Sequence, residues 1–237
     1  MSILPLELED VTLSAGGKRL LDGVSMTIGG GRRTVILGPN GAGKSLLLRI
    51  CHGLLRPDAG TVGWLGDDAA DARSRQAMVF QRPVMLRRSV LANAAYGLQL
   101  KGIGRTERIA RAEQALRMTG LADHAAQDAR TLSVGEQQRL ALARAQSLDP
   151  EVLFLDEPTA SLDPGATGQI EELIGRIHGL GAAIVMTTHD LGQARRVADE
   201  VVFLHKGRVV EQSPAERFFR EPTHDLSRAF LRGELLW

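Results

Sequence analysis

The run GPNGAGKS, residues 38–45, ends in a lysine and a hydroxyl and is rich in glycine. It fits G-x-x-x-x-G-K-[ST], the pattern of a loop that cradles phosphates. In such a loop Gly38, Pro39, Asn40, Gly41, Ala42 and Gly43 turn backbone N–H groups toward phosphate oxygens, and the following helix adds its dipole. Lys44 is then placed to reach the β- and γ-phosphates of a nucleotide, and Ser45 to bind Mg²⁺. A second feature is VLFLDE, residues 152–157, four apolar residues and then two carboxylates. A buried strand of this kind delivers Asp156 and Glu157 to the carboxyl edge of a sheet, where open α/β folds bind ligands. Asp156 suits Mg²⁺ held through water, and Glu157 suits the general base that polarises an attacking water. Taken alone, such a carboxylate often just caps the next helix. His189, after AAIVMTT, and Gln81, in AMVFQRP, also follow short apolar runs. The histidine is placed for a γ-phosphate contact, and the amide for Mg²⁺ and the water. LSVGEQQR, 132–139, presents a serine and a glycine just before a helical pattern and so forms a second candidate anion site, which one domain should not need.

These residues require particular elements around them. LELEDVTL and LLDGVSMTI alternate apolar and polar residues and predict two antiparallel strands about a turn at 15–17. RTVILG predicts a buried strand feeding the phosphate loop, and LLLRICHGLL the helix after it. Glycine and proline break the chain at 56–60. From about Arg82 to Arg130, alanine, leucine, arginine and glutamate recur at helical spacing and predict a helical insertion. Beyond it come VLFLD, a helix from Pro164, AAIVMTT, a helix over 191–198 and VVFLHKGRVV, an alternation that predicts a parallel sheet covered by helices. The segment 214–237 reads as one or two short helices.

Composition bounds the rest. The 237 residues suffice for one large domain, or one with an insertion. Lys+Arg number 29 and Asp+Glu 28, so no basic field points to nucleic acid. Cys51 is the sole cysteine, which rules out an intrachain disulfide and fits a reducing compartment and core packing. No run approaches the roughly 20 apolar residues of a membrane span, and no charged-then-apolar leader opens the chain. Any membrane spans are therefore expected from another chain.

Together the motifs resemble, over the whole chain and in the same order, the ATP-binding subunit of ABC transporters. GPNGAGKS matches the Walker A loop, Gln81 the Q-loop, LSVGE the signature, VLFLDE the Walker B strand, residues 161–163 the D-loop and His189 the switch histidine. The resemblance implies an α/β fold of the P-loop NTPase type found in ABC proteins: a mixed-sheet core over 1–81 and 131–213 with an N-terminal antiparallel β subdomain, a helical subdomain inserted over 82–130 and a tail over 214–237. It implies ATP and Mg²⁺ as cofactors and an ATPase coupled to transport. It also implies a head-to-tail homodimer, in which Leu132, Ser133, Val134, Gly135, Glu136 and Asp163 of one chain meet the ATP held by the Walker A loop of the other. A permease would supply the membrane spans and an extracytoplasmic binding protein the cargo, with this chain on the cytoplasmic side of the inner membrane.

Three residues depart from the family pattern. Val134 stands where glycine is common, a β-branched residue that disfavours positive φ; Glu136 stands beside it where glutamine is common. Ala15 occupies the place of an aromatic that stacks on adenine, so loose nucleotide selectivity is expected; the only tyrosine is Tyr96. In RPVMLRRSV, Met85 and Leu86 are candidates for receiving a permease helix, against ordinary packing of the insertion. VFQRPVMLRRSV and FLRGELLW are most similar to the tungstate/molybdate importer branch, with phosphate importers close by. An exporter or a cell-division type of ATPase module remains an alternative; long coiled coils or a second nucleotide domain, which other branches carry, are missing.

Overall fold

The computed structural model describes residues 2–234; residues 235–237, the end of FLRGELLW, lie outside the described residues, as does residue 1. The chain divides into two compact units, one made of residues up to Ser74 with those from Ala183 onward, the other of Arg75–Ala182.

In the first unit, β1 (Leu6–Ala15) and β2 (Lys18–Ile28) form the expected antiparallel pair, Leu6 opposite Ile28 and Ala15 opposite Lys18. Their apolar residues, among them Leu6, Leu8, Val11, Val24 and Ile28, are buried; Leu6 and Leu8 follow the period of two, and an irregularity between Leu8 and Val11, with Asp10 at positive φ, resets it. β3 (Arg33–Leu37) leads through the phosphate loop into α1 (Lys44–His52). The glycine–proline break at 56–60 then runs into a strand that its composition concealed: β4 (Ala59–Trp64) pairs with β1 on the side away from β2. Its sequence, AGTVGW, is half exposed and carries little apolar signal.

The second unit opens with β5 (Gln76–Val79) and continues through α2 (Val90–Ala94), α3 (Tyr96–Leu100) and α4 (Arg105–Met118). The helix α5 (Val134–Gln146) follows, then β6 (Val152–Asp156) and α6 (Pro164–Gly179). β5 and β6 pair in parallel, Gln76 opposite Val152 and Val79 opposite Leu155. Val90, Ala94, Ala112, Leu116, Leu121, Leu132, Leu140 and Ala143 make the core of its helical part. Helix starts follow the local chemistry: Ser89 caps α2, Asp163 caps α6 with proline in its first turn, and Ser133 opens α5.

The chain returns to the first unit with β7 (Ala183–Thr188), α7 (Leu191–Val197), β8 (Glu200–His205), β9 (Arg208–Pro214), α8 (Ala215–Arg220) and α9 (Asp225–Leu231). β7, β3 and β8 are parallel neighbours, with β3 in the middle. VVFLHKGRVV is two strands rather than one. The chain reverses at Lys206 and Gly207, both at positive φ, and β9 runs antiparallel to β8. The core is therefore a mixed sheet. Glu211 on β9, 6% exposed, accepts the backbone N–H groups of Thr223 (3.0 Å) and His224 (3.3 Å) and so moors the segment leading into α9. No helix of the described residues is long and apolar enough to cross a membrane.

Candidate nucleotide-binding site

In the first unit the phosphate loop joins a buried strand to a helix. Gly41 (φ 80°) and Gly43 (φ 102°) lie in the left-handed region, where a side chain would be strained. Gly38 passes so close to Leu204 that a Cβ there would sit 2.1 Å from its carbonyl oxygen. Lys44, 5% exposed, folds back over the loop, and its Nζ donates to the carbonyl oxygens of Gly38 (2.9 Å) and Pro39 (3.1 Å). The ammonium is thus already held above the cradle. Ser45 follows it in the first turn of α1. No side chain caps this helix at Gly43, so its N-terminal amides are left to the loop. Leu37 pairs with Thr188, so Gly38 and His189 are the next residues on two adjacent parallel strands and share one sheet edge. His189 is exposed there, while Asp190 beside it caps α7 by accepting the N–H of Gln193 (2.9 Å). Cys51, on α1, is buried and its thiol is pushed up to about 12 by that burial, so it is inert packing.

The second unit carries the other residues. Val79 pairs with Leu155, so Gln81 and Glu157 each lie two residues past the same pair, at the carboxyl edge of β5 and β6. Asp156 is buried, 3% exposed, at the end of β6. Glu157 adopts φ 43°, a left-handed conformation that costs about 1 kcal/mol or more outside glycine and persists where the surroundings hold it. The hydroxyl of Ser45, the carboxylate of Asp156 and the amide oxygen of Gln81 are all hard oxygen donors, the set that suits Mg²⁺.

The signature segment forms a capping box. Ser133 donates its N–H (2.8 Å) and its hydroxyl (2.7 Å) to Oε2 of Glu136, and the Glu136 N–H points back to Ser133 Oγ (3.4 Å). Those bonds from Ser133, first its hydroxyl and then its N–H, hold the Glu136 carboxyl below its usual range, aided by nearby His124 and Arg139. Ser133, Val134, Gly135 and Glu136 line an open groove of about 280 Å³ together with Ser161, Leu162 and Asp163. Asp163 is committed to its cap, accepting the N–H groups of Gly165 (2.9 Å) and Ala166 (3.0 Å).

A sequence profile of the ABC transporter family matches residues 21–160. This chain belongs to the ABC transporter family. It is 39% identical to "Phosphate import ATP-binding protein PstB 2" of Natronomonas pharaonis, over 93% of this chain and 84% of that one. It is 40% identical to "Tungstate uptake system ATP-binding protein TupC" of Peptoclostridium acidaminophilum, over 91% of this chain and all of the relative. Among solved structures, "Structure of ATP binding subunit of ABC transporter" superposes with a TM-score of 0.81 at 26% identity, covering 97% of this chain and 99% of the other. The mixed sheet core, antiparallel N-terminal sheet and helical part are the ABC ATPase fold.

Within this family framework three residues stand differently from expectation. Val134 is the first residue of α5, at ordinary helical φ and 59% exposed, so its β-branch meets none of the strain that a positive φ would impose. The side chain of Leu132 is buried, 5% exposed, in the core cluster that also holds Ala129 and Leu140, and the groove lining begins at Ser133. Met85 also packs against that core, whereas Phe80 (41% exposed) and Val84 (73%) are the apolar side chains most open to solvent around Gln81. Sequence reading passed over both because exposure of a single apolar residue leaves no periodic trace. Ala15 is exposed at the end of β1, with no aromatic in its place.

Proposed function

We propose that this chain is the ATP-hydrolysing subunit of an importer, that it acts as a homodimer, and that its cargo is an oxyanion such as tungstate or molybdate. The observation that carries the ATPase is the phosphate loop, with its glycines at positive φ and Lys44 already drawn over it. Lys44 would meet the β- and γ-phosphates, and the loop amides of residues 38–43 would hold their oxygens. Mg²⁺, held by Ser45, Gln81 and, through water, Asp156, would supply charge neutralisation between those phosphates. Glu157 would polarise the attacking water, and His189 would contact the γ-phosphate.

Support for the second half of the site comes from Gly135. Its φ is not positive, and a Cβ there would meet Ala166 Cβ only at an ordinary 3.5 Å. Nothing inside its own chain demands glycine, which fits an atom arriving from outside. A partner chain's ATP, approaching Ser133, Gly135, Glu136 and Asp163 across the groove, would be that atom's source. The whole of 1–237 then works as one ATP-binding domain on the cytoplasmic side of the inner membrane, docked to a permease and fed by an extracytoplasmic binding protein. The cargo reading rests on the identity to the tungstate relative over its full length; phosphate, or another small solute, is the alternative favoured by the phosphate-import relative.

The test is co-purification with the permease, then ATPase assay in liposomes with binding protein loaded with tungstate, molybdate or phosphate. Stimulation by tungstate or molybdate above phosphate is expected. Stimulation by phosphate alone would overturn the cargo reading, and a complex without nucleotide-dependent turnover would overturn the ATPase reading.

A further inference from the structure

Both ends of one segment are hydrogen-bonded to the far end of α5. Arg144 donates from Nη1 to the carbonyl oxygen of Val84 (3.1 Å). Ser147, just past the helix, donates from Oγ to the carbonyl oxygen of Ala94 (3.1 Å), in a buried contact. Between these points Asn93, fully buried, closes the segment on itself: its Oδ1 accepts the N–H of Leu86 (2.9 Å), and its Nδ2 donates to the carbonyl oxygens of Leu86, Arg88 and Ser89 (3.0–3.2 Å). Residues 86–93 are therefore closed by hydrogen bonds through Asn93, and Val84, just before them, is held to the helix end by Arg144.

Arg144 is unusual among the cations of this unit. Burial alone lowers its affinity for the proton, and among the described residues no carboxylate lies within ion-pair distance. Its guanidinium has five N–H donors and spends one, on Val84. A partly desolvated cation with one acceptor resists losing it. The bond itself is solvent-exposed, so what it supplies is a fixed, charge-assisted link between the loop and the helix end rather than a buried lock.

The other end of α5 is the capping box at Ser133. Eleven residues separate Ser133 from Arg144, about 16 Å of helix at 1.5 Å per residue. After Gly135 neither glycine nor proline interrupts it. Beyond its first turn the helix thus contains none of the residues that kink helices, and it joins the two ends as one continuous element.

We propose that Arg144 and Ser147 are positioning residues, which tie the exposed loop around Val84 to the anion-binding end of α5, so that permease docking at the loop sets the reach of Ser133 toward the partner chain's ATP. The inference rests on the proposed docking at this loop and the proposed contact of Ser133 across the dimer. It adds which side chains link the two.

Arg144→Met keeps the aliphatic stem and removes the donor; Arg144→Lys restores one donor. With co-expressed permease in liposomes, Arg144→Met is expected to co-purify normally and to retain its affinity for ATP, yet to lose about tenfold of its permease-dependent ATPase. Arg144→Lys is expected to recover at least half of that loss, and Ser147→Ala to lose about threefold. Amide exchange is the readout that a merely structural role would not move: permease binding should slow exchange at residues 133–136 in the native protein and in Arg144→Lys, but not in Arg144→Met. Permease-dependent turnover of Arg144→Met within twofold of native, or unchanged protection at 133–136, would overturn the proposal. So would a folded Arg144→Met that no longer binds the permease, since the residue would then belong to the docking surface itself. Val84→Asp keeps the backbone acceptor and tests docking separately: undiminished co-purification of that variant would remove the docking reading, whatever Arg144→Met does.

Discussion

Glu136→Gln is the most informative single substitution. The carboxylate of Glu136 holds both donors of Ser133 and is about a quarter exposed. On the proposed dimer a partner's γ-phosphate must come to that same serine. Two unit charges about 5 Å apart repel by about 1 kcal/mol in a water-like environment and about 3 at an effective dielectric near 20. Arg139 at 4.0 Å offsets part of this, which leaves about 1 kcal/mol per site. With two sites, Glu136→Gln should tighten ATP-driven dimerisation by about 2 kcal/mol, roughly 30-fold. Glutamine still completes a capping box, so the fold should lose no more than about 1 kcal/mol through the helix dipole. The assay is sedimentation of the ATP-bound protein in a Glu157→Gln background, at low and high salt. The gain should shrink at high salt, because the groove is open to counterions. A dimer affinity unchanged within about threefold, or weakened, would refute the reasoning; it would mean that the carboxylate helps Ser133 more than it repels phosphate.

Four other outcomes follow from the same geometry. Val134→Gly should change ATPase turnover by less than tenfold, since Val134 is exposed at ordinary helical φ; steady-state assays check it, and a larger increase would mean that the valine obstructs the site. Glu157→Gln should reduce turnover by at least about 100-fold, as expected for loss of a general base, while ATP binding by the isolated chain persists in calorimetry. Glu211 has a second consequence: burial would raise its carboxyl, but the hydrogen bonds from Thr223, Ser227 and His224 together outweigh that and hold it low. Its mooring of the tail is therefore complete above its ordinary 4.5 and is lost as pH falls through the depressed folded value, so amide exchange at Thr223 and His224 should accelerate in acid, and Glu211→Ala should produce the same acceleration at neutral pH. With Ala15 offering no ring to adenine, affinities for ATP and GTP should agree within about tenfold; a strong preference for ATP would show that another contact reads the base.

Motifs with fixed backbone geometry were legible from residues alone. GPNGAGKS announces its loop because glycines at positive φ, a lysine and a hydroxyl are local requirements. VLFLDE and AAIVMTTH announce strand-end polar groups because a buried run must stop somewhere. The helix start after Ser133 is equally local. β4 and β9 were not legible: AGTVGW is half exposed, and VVFLHKGRVV hides a reversal behind an apolar run. Both strands exist because a neighbouring edge offers hydrogen bonds, which no local pattern records.

The site divides in the same way. Residue types and spacing determined which side chains could meet phosphate, magnesium and water, since that chemistry depends on what each group can donate or accept. Tertiary structure alone decided that Leu132 turns into the core and that Phe80 and Val84 stay open to solvent around Gln81. It alone set Arg144 beneath Val84, sixty residues away in the chain. Those outcomes depend on which surfaces pack together, and packing is a property of the whole fold rather than of any stretch of it.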